Sequence, residues 1–236
     1  MRLHVGTSGY NFPEWKGTFY PPKIKPAEML PYYAGRLTTV EINYTFYRMP
    51  NAKTVAGWNT SVPDGFTFVV KAPQRITHIA RLRDVDETLR YFTETVRPLG
   101  AKLGPILVQL PPNFKQDLVR LKDFLTLFPA DLRCAFEFRN ASWFTDETYA
   151  ALRAANAALC VADTEDGHTP LQATADFGYF RLRDEGYQPA DLETWAGRVR
   201  EMGMAWGDAF VFFKHEESGE GPRLAAEFAQ LPGLAS

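Results

Sequence analysis

Apolar residues in this chain gather in short runs rich in β-branched and aromatic side chains. Between the runs they recur every three or four positions. The short runs are Leu3–Ser8, Thr38–Asn43, Phe66–Lys71, Pro105–Leu110, Arg133–Arg139, Ala158–Asp163, Phe177–Leu182 and Ala209–Lys214, and each reads as a strand. Several, such as Phe68-Val69-Val70 and Ile106-Leu107-Val108, are apolar almost without a break, the pattern of strands covered on both faces of a parallel sheet. The intervening segments carry helical spacing over Val85–Leu99, Leu118–Phe128, Asp146–Ala157, Ala190–Met202 and Pro222–Leu231, and Pro26 opens a further helix in its first turn. Strands alternating with helices in this way predict an α/β fold, a (β/α)8 TIM barrel filling residues 1–236 as one domain.

One interval breaks the alternation. Between Asp163 and Phe177 the segment Thr164–Pro170 leaves too little chain for a helix, so an extended loop or short turn is expected in place of the sixth. An open doubly wound sheet would show a glycine-rich turn running from strand one straight into a helix. Here strand one leads instead into the aromatic loop Gly9–Trp15.

In a barrel the loops after the strands gather at one end, so the carboxyl ends of the strands are where chemistry is sought. They carry Glu41-Ile42-Asn43-Tyr44, Lys71, Gln109, Glu137-Phe138-Arg139, Asp163, Arg181-Leu182-Arg183 and Lys214-His215. Period two puts Glu41 with Asn43, Glu137 with Arg139 and Arg181 with Arg183 on the faces opposite Val40, Ile42, Phe136, Phe138, Phe180 and Leu182. The charged members therefore point into the barrel or its mouth, where each must be paired or solvated. The rim is also dense in aromatics: Tyr10, Phe12, Trp15, Phe19, Tyr20, Tyr44, Phe46, Tyr47, Trp143 and Phe144.

Composition narrows the partners. The 236 residues are 45% hydrophobic and 23% charged, with a formal net charge of −2, so no global field draws in nucleic acid or an anionic membrane. An anionic ligand must be recognised locally. No run approaches the ~20 apolar residues that span a bilayer, and the first strand begins at Leu3, leaving no room for a leader; a cytoplasmic protein is expected. Cys134 and Cys160 lie in strand runs without metal spacing and are expected to be buried thiols.

Four chemistries fit these residues. Lys71, Arg139, Arg181 and Lys214 form an anion cradle, with Asn43, Tyr44, Gln109 and Trp143 as further substrate contacts. Glu41, Glu137 and Asp163 are then the catalytic carboxylates, Glu41 or Glu137 as general base, and His78 or His215 a proton shuttle. This places a phosphate- or sugar-bearing anion in the mouth, and the segment Ser218–Pro222 lies where many barrels bind phosphate. A divalent metal held by Glu41, Glu137, Asp163 and His215 would suit an isomerase or phosphodiesterase, although the four cations crowd that space and no cofactor is otherwise assigned. Glu41 and Glu137 facing across the barrel would suit a glycosidase. A non-catalytic module that binds a metabolite or a nucleic-acid end needs only the cations. Against all four stands a buried ionic network that fixes strand register and does nothing else.

The strings Gly6-Thr7-Ser8-Gly9-Tyr10, Trp15-Lys16-Gly17, Val40-Glu41-Ile42-Asn43, Thr45-Phe46-Tyr47, Lys71 with Thr77-His78, Gln109-Leu110-Pro111-Pro112 and Glu137-Phe138-Arg139 with Ser142-Trp143 resemble the YecE-like family, the domain-of-unknown-function 72 proteins. The resemblance runs in order along nearly the whole chain and implies a TIM barrel; it implies no established reaction. The carboxyl third departs from it: Asn140, Arg183-Asp184 and Lys214-His215-Glu216 stand where the family usually has histidine, His-Gly and an asparagine-rich string.

Overall fold

A computed structural model describes residues 1–164, 167–217 and 219–234. All eight runs become strands of one parallel barrel: β1 (Arg2–Ser8), β2 (Thr39–Ile42), β3 (Thr67–Lys71), β4 (Leu103–Gln109), β5 (Cys134–Glu137), β6 (Ala158–Thr164), β8 (Phe177–Leu182) and β9 (Asp208–Phe213). Neighbours pair in parallel round the ring, with β1 between β2 and β9, and the β5–β6 pairing closes it. The register sets Ser8 beside Glu41, and Gln109 beside Glu137, at the carboxyl ends.

Helices α1 (Pro26–Ala34), α4 (Asp86–Val96), α5 (Leu118–Leu127), α6 (Asp146–Ala154), α7 (Pro189–Met202) and α8 (Glu220–Ala229) follow the predicted segments to within a few residues. Two more, α2 (Tyr44–Tyr47) and α3 (Ala52–Thr60), fill the stretch after β2, where the helical pattern is too sparse to read. Their local signals are small: α3 starts because the Asn51 side chain accepts from the Thr54 backbone N–H at 2.8 Å. Among the described residues no helix separates β6 from β8. A two-residue strand, β7 (Gly167–His168), turns back antiparallel onto β6, and the Thr174 hydroxyl then bridges Ala157 O and Leu159 N, both at 2.7 Å. Glu165 and Asp166 lie outside the described residues.

Side-chain parity divides the core in two. Val40, Val108, Phe136 and Phe180 pack outward against the helices, while Val69, Leu107, Ala135, Cys160, Tyr179 and Phe212 fill the lumen. Small residues on β5 and β6 (Ala135, Ala158, Cys160, Ala162) offset Phe177, Tyr179, Phe210 and Phe212 on β8 and β9, so the lumen is a packed core rather than a pore. Both thiols are buried, Cys134 in the outer layer and Cys160 in the lumen, and burial pushes Cys134 up to about 12.

Gly6 packs tightly against β2. A Cβ there would sit 2.0 Å from the Thr39 carbonyl oxygen and 3.0 Å from the Tyr33 hydroxyl, which itself donates to Thr39 O and accepts from Thr7 N, both at 2.9 Å. Gly6→Ala should therefore destabilise by roughly 1–3 kcal/mol or more, as backbone rather than a flexible side chain must give way. Chemical denaturation measures it, and a loss under 0.5 kcal/mol would contradict this packing.

Candidate functional site

Beneath the carboxyl end of the barrel, charges from three strands are locked together. The Arg181 guanidinium of β8 donates to Glu41 Oε1 of β2 at 2.8 Å and to Glu137 Oε2 of β5 at 2.5 Å. Tyr179, two residues earlier on the same face, donates to Glu41 Oε2 at 2.6 Å. Arg139 Nε donates to Glu137 Oε1 at 3.1 Å, and Arg183 lies 3.6 Å from that oxygen. Glu41, Glu137 and Arg181 are each at most 1% exposed. Burial pushes the Glu137 carboxyl up, but Arg181, Arg139 and Arg183 outweigh it and hold the group at about 2. The same carboxylates keep Arg181 protonated against its own burial.

Above this floor opens a cavity of about 800 Å³. Of the residues expected from the sequence, Asn43, Tyr44, Lys71, His78, Gln109, Arg139, Arg181 and Lys214 line it. Lys71 and Arg139 come from the ends of β3 and β5. His78 comes from a single π-helical turn, Arg75–Ile79, after β3, held by a loop in which Arg81, Leu82 and Asp84 all adopt positive φ. Tyr10, Phe12, Phe46, Tyr47 and Trp58 complete an aromatic wall. Trp15 and Tyr20 are instead fully packed, the Trp15 indole donating to Glu216 O at 2.9 Å and tying the β1 loop to the β9 loop.

Five expected residues stand elsewhere. Glu41 and Glu137 lie under the cavity and give it no surface, with both oxygens of each already bonded. A carboxylate buried beneath the cavity, with each oxygen already bonded, has no path to a substrate proton, and the Arg181 guanidinium sits between the two carboxyls where a glycosidase would place the scissile bond. Asp163 belongs to the outward parity of β6, because Ala158, Cys160 and Ala162 take the lumen. It accepts from the Tyr187 hydroxyl and, at 2.6 Å, from Arg183 N. His215 is likewise one step out of phase with lumen-facing Phe210 and Phe212, and its Nε2 meets Asp184 O at 2.7 Å. Trp143 is buried, stacked 4.7 Å from Phe138, and donates to Phe114 O at 2.7 Å. Consequently the metal grouping of Glu41, Glu137, Asp163 and His215 does not assemble; among the described residues no three His, Cys, Asp or Glu side chains are placed to share an ion. At the suggested phosphate segment, Gly219 packs against Thr18, Glu220 is paired with Arg223, and Ser218 lies outside the described residues.

Lys71, Arg139, Arg181 and Arg183 surround two carboxylates, leaving two positive charges in excess before Asp163 behind them is counted. Burial foremost, and then Arg181, bring Lys71 down to about 8, against the pull of Glu137 and Glu41. Burial, Lys71 and Arg139 also lower His78, favouring its neutral ring. Lys214 faces the cavity beside Glu216, 3.9 Å away. Among the described residues six buried side-chain N or O atoms lack a hydrogen-bond partner, and four of them, Ser8 Oγ, Asn43 Oδ1, Gln109 Oε1 and Arg181 Nε, belong to residues lining this one cavity.

Tyr179 and Trp58 did not stand out in the sequence, and Ser8 was visible only as part of the polar end of strand one. Tyr179 is one period-two step from Arg181 and Ser8 one register step from Glu41, so both were reachable from strand parity. Trp58 rides on α3, whose helical pattern is weak, and gave no such signal.

Known proteins agree with this architecture. The family model described as "Protein of unknown function DUF72" matches residues 4–236. The UPF0759 protein YunF of Bacillus subtilis is 26% identical over 269 aligned positions, covering 97% of this chain and 94% of that protein. The UPF0759 protein YecE of Escherichia coli K12 is 29% identical over 143 positions, covering 60% of this chain and 50% of that protein. A DUF72 family protein from Thermotoga maritima superimposes with a TM-score of 0.84 at 28% identity over 98% of both chains. One from Enterococcus faecalis does so with 0.77 at 21%, over 97% and 96%. With the family model spanning all but the first three residues and the barrel common to these structures, the chain belongs to the DUF72 family.

Proposed function

We propose that the barrel mouth binds a small organic anion, its phosphate or carboxylate held by Lys71, Arg139 and Arg181 and its body laid along the aromatic wall. The observation that carries this is the coincidence of surplus positive charge with four unpartnered buried polar atoms in one cavity. A network serving only to fix strand register would leave its members satisfied. Ser8, Asn43 and Gln109 offer hydroxyl and amide groups to a polyol, and Tyr44, Phe46 and Trp58 offer ring faces, which together suit a sugar phosphate or a related acid. Chemistry at this site falls to Lys71, brought down to about 8, and His78, held below its ordinary value, both facing the cavity, and not to Glu41 or Glu137, which are locked beneath it.

Isothermal titration with glucose 6-phosphate and glucose tests the proposal. The phosphate should bind and glucose should not, and Arg139→Ala should weaken binding by at least tenfold, since a charge-assisted hydrogen bond contributes about 1.5–3 kcal/mol. Equal affinity for the neutral sugar, or unchanged binding by the variant, would remove the basis for an anion site.

A further inference from the structure

Two lysines of this chain are equally buried and very differently served. Lys102 is 9% exposed, and its ammonium donates to Asn59 O at 2.8 Å and Val62 O at 3.0 Å with Asp64 3.5 Å away. Lys71 is 8% exposed and lines the cavity, and its ammonium has no hydrogen bond or ion pair among the described residues. Its Nζ rests over the face of the Phe46 ring, 4.0 Å from the centroid. The two nearby carboxylates that would ordinarily hold it are taken by Arg181, Arg139 and Tyr179. Lys102 is a structural lysine, whereas the Lys71 ammonium lines the cavity with an aromatic face against it and no carboxylate or carbonyl to hold it.

From this contrast we infer that Lys71 forms a reversible imine with a small anion bearing an aldehyde or ketone carbon, the acid group of that anion resting on Arg139 and Arg181. The inference rests on the anion reading above and names the substrate class within it. Burial and the neighbouring Arg181 keep an appreciable fraction of this amine neutral near pH 7, which is the form that attacks. In the first step the Nζ lone pair makes the N–C bond, the carbonyl π pair moves to oxygen, and a proton passes from nitrogen to that oxygen. In the second the C–O bond breaks, the oxygen leaves as water after taking another proton, and the nitrogen loses its remaining hydrogen to form C=N. The net change is amine plus carbonyl giving imine plus water. His78 serves as the proton carrier. It lines the same cavity and packs against the same Phe46 ring, with centroids 4.8 Å apart at 82°, while its Nδ1 is engaged by Thr77 Oγ1 at 2.9 Å. The Thr77 hydroxyl donates to Pro73 O at 3.3 Å and so accepts from Nδ1–H, which leaves the Nε2 lone pair to accept protons, and the lowered His78 keeps the ring neutral.

The test treats the full-length protein with pyruvate or glyceraldehyde 3-phosphate, reduces it with borohydride, and maps the adduct by peptide mass. The expected result is a fixed adduct on Lys71 at least tenfold above that on exposed Lys23 or Lys25, forming faster as pH rises through about 8. Glycerol 3-phosphate, which has no carbonyl, should slow it at least tenfold, and His78→Gln should slow it without weakening glycerol 3-phosphate binding. An unmodified Lys71 alongside labelled surface lysines overturns the imine. If glycerol 3-phosphate still raises the unfolding temperature in that case, the anion site stands without the imine. If it raises nothing, both readings fall.

Discussion

Arg181→Met should lower stability by about 3–5 kcal/mol, the usual consequence of stranding buried charge by removing its partner. Here one guanidinium neutralises two carboxylates that are at most 1% exposed, so the loss is expected at the upper end. For a chain of this length it corresponds to a fall in Tm of roughly 6–20 °C. The triple variant Glu41→Gln, Glu137→Leu, Arg181→Met keeps an acceptor for Tyr179 and removes the three fully buried charges, leaving only the more exposed Arg139 and Arg183 without Glu137, and should recover part of the loss. The acid limb of the wild-type curve follows from the same network. Glu137 is held at about 2 against an ordinary 4.5, so its stabilisation is complete above pH 4.5 and is lost as pH falls from there toward 2. Denaturant titrations of the three proteins decide the matter: a single variant within 1 kcal/mol of wild type, or a triple variant no better than the single one, contradicts a charge-neutralising role for Arg181.

Lys71→Met should act in the opposite direction. A lysine lowered from 10.5 to about 8 carries a penalty for its charged form of roughly 3 kcal/mol, since each unit corresponds to about 1.4 kcal/mol. Below pH 8 the amine is protonated in both the folded and unfolded chain, and the penalty is present in full. Between pH 8 and 10.5 the unfolded chain binds the extra proton, so wild-type stability rises with pH relative to the variant. The variant should therefore be more stable by about 2–3 kcal/mol at pH 7 and by nothing above pH 10.5. Paired guanidinium denaturation curves at pH 7 and 10.5 measure the difference. A variant less stable at pH 7 would mean that Lys71 is paired in solution, against the geometry seen here. Stability given up at a cavity-lining lysine is what a functional group, rather than a structural one, would show.

Much of this site was legible because strand parity is strict. The alternation that put Val40, Phe136 and Phe180 against the helices also sent Glu41, Glu137 and Arg181 inward, and the lumen is as that rule requires. Asp163 and His215 were misplaced by considering strand ends without phase. Counting back from Ala162 on β6 and from Phe212 on β9 turns both outward. Whether an inward charge faces the cavity or lies beneath it was not legible. That depends on depth along the barrel axis and on which partner reaches it first, and Glu41 meets an arginine 140 residues away in the chain. Trp143 shows a further limit, since a rim tryptophan and a core tryptophan have the same sequence context until Phe114 and Phe138 are seen to enclose it.

The bond of Arg181 to both Glu41 and Glu137 has a consequence for how the chain can be divided. A cut after β4 would leave an amino-terminal piece holding Glu41 and Lys71 without the guanidinium. The carboxyl-terminal piece would keep Arg181 and Glu137 but lose one of the two acceptors. Neither fragment closes its own electrostatic account, so a split or circularly permuted version of this protein has to reunite β2, β5 and β8 before either part can bury what it carries.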